Sequence, residues 1–150
     1  MKRFCVLTSS AAQTESFGRE FSQKLRGDET IALFGDLGAG KTTFIRGLAG
    51  GLGIDECEVS SPTFAIVHEH KGKCSLYHYD MYRIESWEDL DTTGFFEALG
   101  NGVVVVEWSE NIINALPDDR IEIRISYNDN DGRKIDIECF GGCDIEDTCC

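Results

Sequence analysis

The chain contains 150 residues, a length that folds as one compact domain. Hydrophobic residues make up 41% and charged residues 27% of the sequence, proportions that exclude the disordered, collagen-like and coiled-coil classes. The net charge is −13, from 14 Lys and Arg against 27 Asp and Glu. The sequence therefore offers no evident basic stripe for direct binding of nucleic acid.

The N-terminal segment turns polar at Thr8, before a signal-peptide core forms, and no apolar run reaches the ~20 residues that span a bilayer. We therefore expect a cytoplasmic protein without membrane contact. Seven cysteines without an export signal indicate thiols in a reducing compartment. Cys143, Cys149 and Cys150 lack the spacing of a zinc site. The expected organisation is one folded domain over residues 1–140 and a disordered, Cys-rich acidic tail over residues 141–150.

The first predicted elements are a strand at residues 3–7 and an amphipathic helix. Ser10 begins a Ser-x-x-Gln pattern that is typical of a helix N-terminus. Apolar residues follow it at i, i+4 spacing, as one face of a helix requires: Phe17, Phe21 and Leu25. A turn then leads into residues 30–34, a short apolar run that suits a buried parallel strand.

A glycine-rich run with the pattern G-x-x-x-x-G-K-T follows this strand and precedes a second apolar helix. Consecutive backbone N–H groups at a helix N-terminus bind phosphate, and glycines permit their close approach. Lys41, expected as an exposed loop charge, would reach the outer phosphates, and the Thr42 hydroxyl would ligate Mg²⁺. The predicted nucleotide contacts are Gly35, Asp36, Leu37, Gly38, Ala39, Gly40, Lys41, Thr42, Thr43 and Trp108.

The second half of the chain predicts a hairpin at residues 64–70 and 74–79, joined through residues 71–73 with a central glycine. Ser86 caps a predicted helix that is interrupted near Gly94. A uniformly apolar strand at residues 103–106 and two alternating strands at 121–127 and 134–140 complete the pattern. The fold class is α/β: a three-layer P-loop NTPase fold with a mixed, mostly parallel central sheet and an antiparallel hairpin.

Three further residues are candidates for the chemistry. Glu107 ends the apolar strand at 103–106, where P-loop enzymes hold magnesium with an acid. The next residue is Trp108 rather than a second acid, so the group that acts on water must come from elsewhere. Thr63 in a possible switch loop and Asp80 at the end of the hairpin are the candidates. Spacing alone leaves a plain turn and a structural hairpin as equal alternatives for these two segments.

The sequence favours ATP over GTP. Residues 91–94 match the D-x-x-G pattern of GTPases, but no apolar strand leads into them. The chain also contains no N-K-x-D segment for guanine. ATP and Mg²⁺ are the expected ligands.

Four ordered segments resemble the TsaE (YjeE) family, the ATPase of the bacterial machinery that makes N6-threonylcarbamoyladenosine in tRNA. They are residues 35–43, 60–64, 77–83 and 105–108. The resemblance implies that Lys41 and Thr42 bind phosphates and magnesium and that Glu107 serves the Walker B role. It also implies that Thr63 and Asp80 complete the active site.

The same resemblance implies homologues of TsaD and TsaB as partners, with tRNA bound mainly by them and ATP hydrolysis needed for repeated turnover. We expect hydrolysis to be slow in the isolated chain and faster with the partners. Two other functional classes remain as alternatives. A small-molecule kinase would need a lid and a substrate-binding insert, for which the chain has little room. A nucleotide-dependent switch would use hydrolysis as a timer.

Overall fold

The computed structural model describes residues 2–35, 40–60, 62, 66–129 and 131–143. Seven strands form one sheet: β1 (Lys2–Thr8), β2 (Thr30–Gly35), β3 (Val67–Lys71), β4 (Ser75–Asp80), β5 (Val103–Glu107), β6 (Arg120–Tyr127) and β7 (Arg133–Phe140). The α-helices are α1 (Ala11–Ser22), α2 (Lys41–Gly51), α3 (Trp87–Asp91) and α4 (Phe95–Ala98). Two 3-10 segments, Glu56–Glu58 and Ser109–Ala115, follow α2 and β5.

The strand order is β1-β7-β6-β2-β5-β4-β3. The four central strands, from β6 to β4, run parallel, whereas β1, β7 and β3 pair antiparallel with their neighbours. The predicted mixed sheet and the predicted hairpin are confirmed, and the two predicted C-terminal strands pair antiparallel with each other. The first hairpin differs in one detail, because its connection is residues 72–74 rather than 71–73. Because parallel strands share a direction, the carboxyl ends of β2, β4 and β5 lie at one edge of the sheet.

Each face of the central sheet is covered, which produces three layers. Helices α1 and α2 pack on one face, where Phe17, Phe21 and Phe44 form a cluster with ring centroids 5.8 to 6.1 Å apart. The short helices α3 and α4 and the segment Ser109–Ala115 cover the other face. Strand β5 is apolar at every position from 103 to 106 because both of its faces are buried.

The helix boundaries agree with the predicted signals, with two differences in detail. Ser10 Oγ accepts a hydrogen bond from Gln13 N at 3.2 Å, but the Gln13 side chain accepts from Ser9 N, one residue before the cap. Helix α1 ends at Ser22, so Leu25 lies beyond it and contacts the core from the following turn. None of the described helices has the length and apolarity needed to cross a membrane.

Helices α1 and α2 cross so closely that only glycine fits at the contact. A Cβ atom on Gly47 would overlap the carbonyl oxygen of Glu15 in the facing helix. We expect Gly47→Ala to lower the free energy of unfolding by about 1–3 kcal/mol, since one helix must move away from the other. Urea denaturation measures this change. Gly50→Ala is the matched control in the same helix, because its Cβ would meet only the side chain of Glu56. Equal stability of the two variants would contradict this packing.

Candidate nucleotide-binding site

The turn between β2 and α2 begins and ends at glycines that no other residue can replace without strain. Gly35 has φ 142°, and a Cβ there would overlap the carbonyl oxygen of Ile125 on β6. Gly40 has φ 102° and immediately precedes the first residue of α2. Residues 36–39, which carry the predicted contacts Asp36, Leu37, Gly38 and Ala39, lie outside the described residues. The described ends place the N-terminus of α2 at the carboxyl edge of the sheet.

Lys41 is the first residue of α2, and it is buried rather than an exposed loop charge. Its ammonium group donates a hydrogen bond to the carbonyl oxygen of Gly35 at 3.1 Å. The same nitrogen lies 5.0 Å from the centre of the Trp108 ring, within the range of a cation–π contact. The expectation of an exposed lysine is therefore wrong, because the side chain folds back across the turn. Thr42 and Thr43 follow in the first turn of α2 and are half-buried.

Trp108 connects β5 to the segment Ser109–Ala115 through a left-handed backbone conformation, with φ 59° and ψ 42°. This conformation is uncommon for a bulky residue and marks a constrained position. The indole ring contacts both Lys41 and Tyr82, and the centre of the Tyr82 ring is 4.8 Å away. Trp108, a predicted nucleotide contact, thus packs its ring beside Lys41 at the end of the glycine-rich turn.

Two acids lie side by side at the same edge. The parallel register of β4 and β5 pairs Asp80 with Glu107, and both residues are about 5% exposed. Asp80 Oδ1 accepts a hydrogen bond from the backbone N–H of Tyr82 at 2.9 Å. Strand β4 ends at Asp80, so Tyr82 lies in the following turn and not on the strand face that His78 and Asp80 share. The structure therefore brings Asp80 and Glu107 together with Lys41 and Trp108 around the start of α2.

The carboxylate of Glu107 is held by a histidine. His78 Nε2 lies 2.7 Å from Glu107 Oε2, and both side chains are almost fully buried. A carboxylate only accepts hydrogen bonds, so Nε2 carries the hydrogen. Within the described residues, His78 Nδ1 has no hydrogen-bond partner. The protein thus fixes one carboxylate oxygen of Glu107 through His78.

All three histidines of the chain line one face of the β3–β4 hairpin. His68 pairs with His78 in the register, and the rings of His68 and His70 are 6.0 Å apart. Burial lowers the pKa of His70, and the nearby His68 and His78 lower it further. Positive charge on His70 is therefore disfavoured.

Arg133 is a basic residue beside the turn that the sequence did not indicate. Its guanidinium lies 4.6 Å from the centre of the Tyr127 ring, and its Nε would be 3.7 Å from a Cβ on Gly40. The residue comes from β7, far from the glycine-rich run in sequence. The contact between His78 and Glu107 likewise joins residues far apart in sequence, on the neighbouring strands β4 and β5.

The described residues fit a bound magnesium triphosphate. The turn has the two glycines and the helix N-terminus that phosphate binding requires, and a lysine with a buried acid lies beside it. Those residues contain no group of three or more His, Cys, Asp or Glu arranged to hold a metal by themselves. Magnesium at triphosphate sites needs only one or two protein ligands, because the phosphates supply others. Thr63 lies outside the described residues, so its approach to this site stays a prediction.

A strand, a glycine-rich turn and a helix N-terminus, with an acid ending the neighbouring strand, define the class of P-loop nucleoside triphosphatases. Residues 8–135 match the family described as threonylcarbamoyl adenosine biosynthesis protein TsaE. The chain belongs to the TsaE family.

Individual relatives agree with this assignment over most of their length. The tRNA threonylcarbamoyladenosine biosynthesis protein TsaE of Treponema pallidum is 39% identical over 89% of this chain and 98% of its own. That of Bacillus subtilis is 39% identical over 94% of this chain and 89% of its own. The crystal structure of YdiB from Bacillus subtilis superposes with a TM-score of 0.75 at 33% identity, covering 93% of this chain and 87% of that one. The predicted fold class and the family resemblance are confirmed.

The hydrogen bond between His78 and Glu107 gives a stability prediction. His78→Leu leaves a buried carboxylate without its partner, so the free energy of unfolding should fall by about 2–4 kcal/mol. Changing both residues to leucine should cost less than the sum of the two single changes, because no orphaned charge remains. Urea denaturation of wild type, the two single variants and the double variant measures the coupling energy between the two residues. His68→Leu, on the facing strand, is the control and should cost less. Additive single changes would contradict a direct bond.

Proposed function

We propose that this chain is a P-loop ATPase that binds MgATP at the turn between β2 and α2. The observation that carries the proposal is the convergence of Lys41, Trp108, Asp80 and Glu107 on the N-terminus of α2. Family membership supports the same proposal. ATP hydrolysis by this chain then serves the formation of threonylcarbamoyladenosine in tRNA, the process for which the relatives are named.

The triphosphate would bind through the backbone N–H groups of the turn and of the first residues of α2. Lys41 would exchange its hydrogen bond to the Gly35 carbonyl for a phosphate oxygen. Thr42 and Glu107 would hold Mg²⁺, which neutralises charge on the phosphates when bound. His78 fixes one oxygen of Glu107, and the other oxygen would be the one that meets the metal. In this proposal His78 is a positioning residue that acts through Glu107.

Hydrolysis requires a water oxygen to form a bond to the γ-phosphorus while the bond to the β-bridging oxygen breaks, which releases ADP, phosphate and a proton. We propose that Asp80 and Thr63 position this water, because Trp108 stands where many ATPases have a second acid. Asp80 is next to Glu107 in the register and buried at the same edge. The hydrogen bond from Tyr82 N to Asp80 Oδ1 fixes the orientation of the Asp80 side chain against the turn that follows β4.

We propose that homologues of TsaD and TsaB are the partners and that they bind most of the tRNA. The charge of −13 would repel the phosphate backbone, so contact with tRNA through other subunits is favoured. A partner that fixes the segments around Asp80 and Glu107 would raise the rate without supplying new chemistry.

Trp108 provides an optical test of the site. Because its ring packs beside Lys41, MgATP should change its fluorescence when the lysine turns to phosphate. Trp87→Phe should keep this change, since Trp87 is 60% exposed on α3, whereas Trp108→Phe should lose it. A full nucleotide-induced signal in Trp108→Phe would place the bound nucleotide away from the carboxyl end of β5.

Steady-state release of phosphate tests the enzyme and its partners together. The purified chain should turn over slowly, and the TsaB–TsaD complex from the same organism should raise the rate by up to ~10³-fold. Asp80→Ala should keep nucleotide affinity but lose most of the stimulated rate, whereas Glu107→Ala should also weaken the response to Mg²⁺. Glu20→Ala, exposed on α1, is the control. A free chain that turns over at ~10 s⁻¹ and ignores the complex would contradict the proposal.

A further inference from the structure

An open groove lies between α3 and the segment Ser109–Ala115, on the face of the sheet opposite α2. Its volume is about 220 Å³. Two of its residues expose large apolar side chains, Trp87 at 60% and Ile113 at 52%. Its floor consists of more deeply buried apolar residues: Ile84, Leu90, Ile112 and Ala115. Exposed aromatic and aliphatic side chains around such a depression are typical of a protein-binding anchor site.

The charge around the groove indicates what kind of partner it accepts. Two acids line the groove, Glu85 and Glu110. The two segments that form it, residues 84–91 and 109–115, contain three more acids and no Lys or Arg: Glu88, Asp89 and Asp91. All five acids are exposed. This acidic surface would repel both RNA and a second copy of a chain with net charge −13. It is complementary to a basic protein segment.

The groove is connected to the proposed active site through both of its walls. One wall follows Asp80 along the chain, and the other begins directly after Trp108. Asn111, in the second wall, donates through Nδ2 to the carbonyl oxygens of Met81 at 2.9 Å and Tyr82 at 3.2 Å, in the turn between Asp80 and the first wall. Met81 N in turn donates to the Glu107 carbonyl at 3.0 Å. Hydrogen bonds therefore connect the second wall of the groove to the segments that carry both acids.

We propose that this groove is the docking site for a basic segment of the partner complex, one of whose apolar side chains inserts between Trp87 and Ile113. Docking fixes the two walls and, through Asn111, the orientation of Asp80 and Glu107. The groove is too small for a complete interface of ~1,200–2,000 Å², so it forms the anchor of a larger contact. This inference rests on the proposed function and identifies the surface through which the partners stimulate hydrolysis.

Binding of the TsaB–TsaD complex to surface variants tests the location. Ile113→Asp and, independently, Trp87→Ser should weaken binding at least tenfold in calorimetry and abolish stimulated phosphate release, while unstimulated hydrolysis stays at the wild-type rate. Leu7→Asp is the matched control, because Leu7 is an apolar residue 64% exposed on the edge strand β1. Glu110→Lys should also weaken binding, whereas Glu20→Lys on α1 should not.

Asn111→Ala tests the coupling separately from the docking. This variant should bind the complex with an affinity within about threefold of wild type and lose most of the stimulation, because the anchor is intact but the second wall is no longer bonded to the turn after Asp80. Full stimulation of Asn111→Ala would overturn the coupling.

The outcomes separate this inference from the proposed function. If wild type binds and responds to the complex but Ile113→Asp and Trp87→Ser do so equally well, the groove is not the docking site and the proposed function stands. If wild type hydrolyses ATP but never binds the complex, the partner assignment fails and the groove proposal fails with it. Binding of tRNA alone that Ile113→Asp removes would overturn the choice of a protein segment.

Discussion

The parallel pairing of β4 with β5 is the constraint on which the site depends. It places Asp80 beside Glu107 at the carboxyl edge of the sheet, where β2 ends and the glycine-rich turn begins. It also brings His78 within 2.7 Å of Glu107, so a carboxylate that would be costly to bury alone has a partner. A slip of one residue in this register would turn the side chains of β4 to the opposite face. The positions of His78, Asp80 and Glu107 are therefore a consequence of strand pairing.

Features set by local sequence were predictable. The glycine-rich run lies between β2 and α2, the apolar strand β5 ends at Glu107, and the helix that begins after Ser86 breaks at Gly94. Each rests on residues close together in the chain, through periodicity, capping or backbone conformation. The resemblance to the TsaE family used the same segments and is confirmed by the match over residues 8–135.

Features set by non-local contacts were not predictable from the sequence. The Lys41 side chain folds back onto Trp108 and is buried, and the approach of Arg133 to Gly40 requires β7 to lie near the turn. The bond between His78 and Glu107 depends on a register that alternation alone does not define. Such arrangements follow from tertiary packing, which local sequence patterns do not specify.

Calorimetric titration of Lys41→Met with MgATP tests the central claim most directly. This change keeps most of the side-chain volume and removes only the ammonium group that lies between the Gly35 carbonyl and the Trp108 ring. Lys73→Met, exposed in the turn after β3, is the control. The account predicts that Lys41→Met loses measurable MgATP binding while Lys73→Met binds as wild type does. Wild-type affinity in a folded Lys41→Met variant would contradict it.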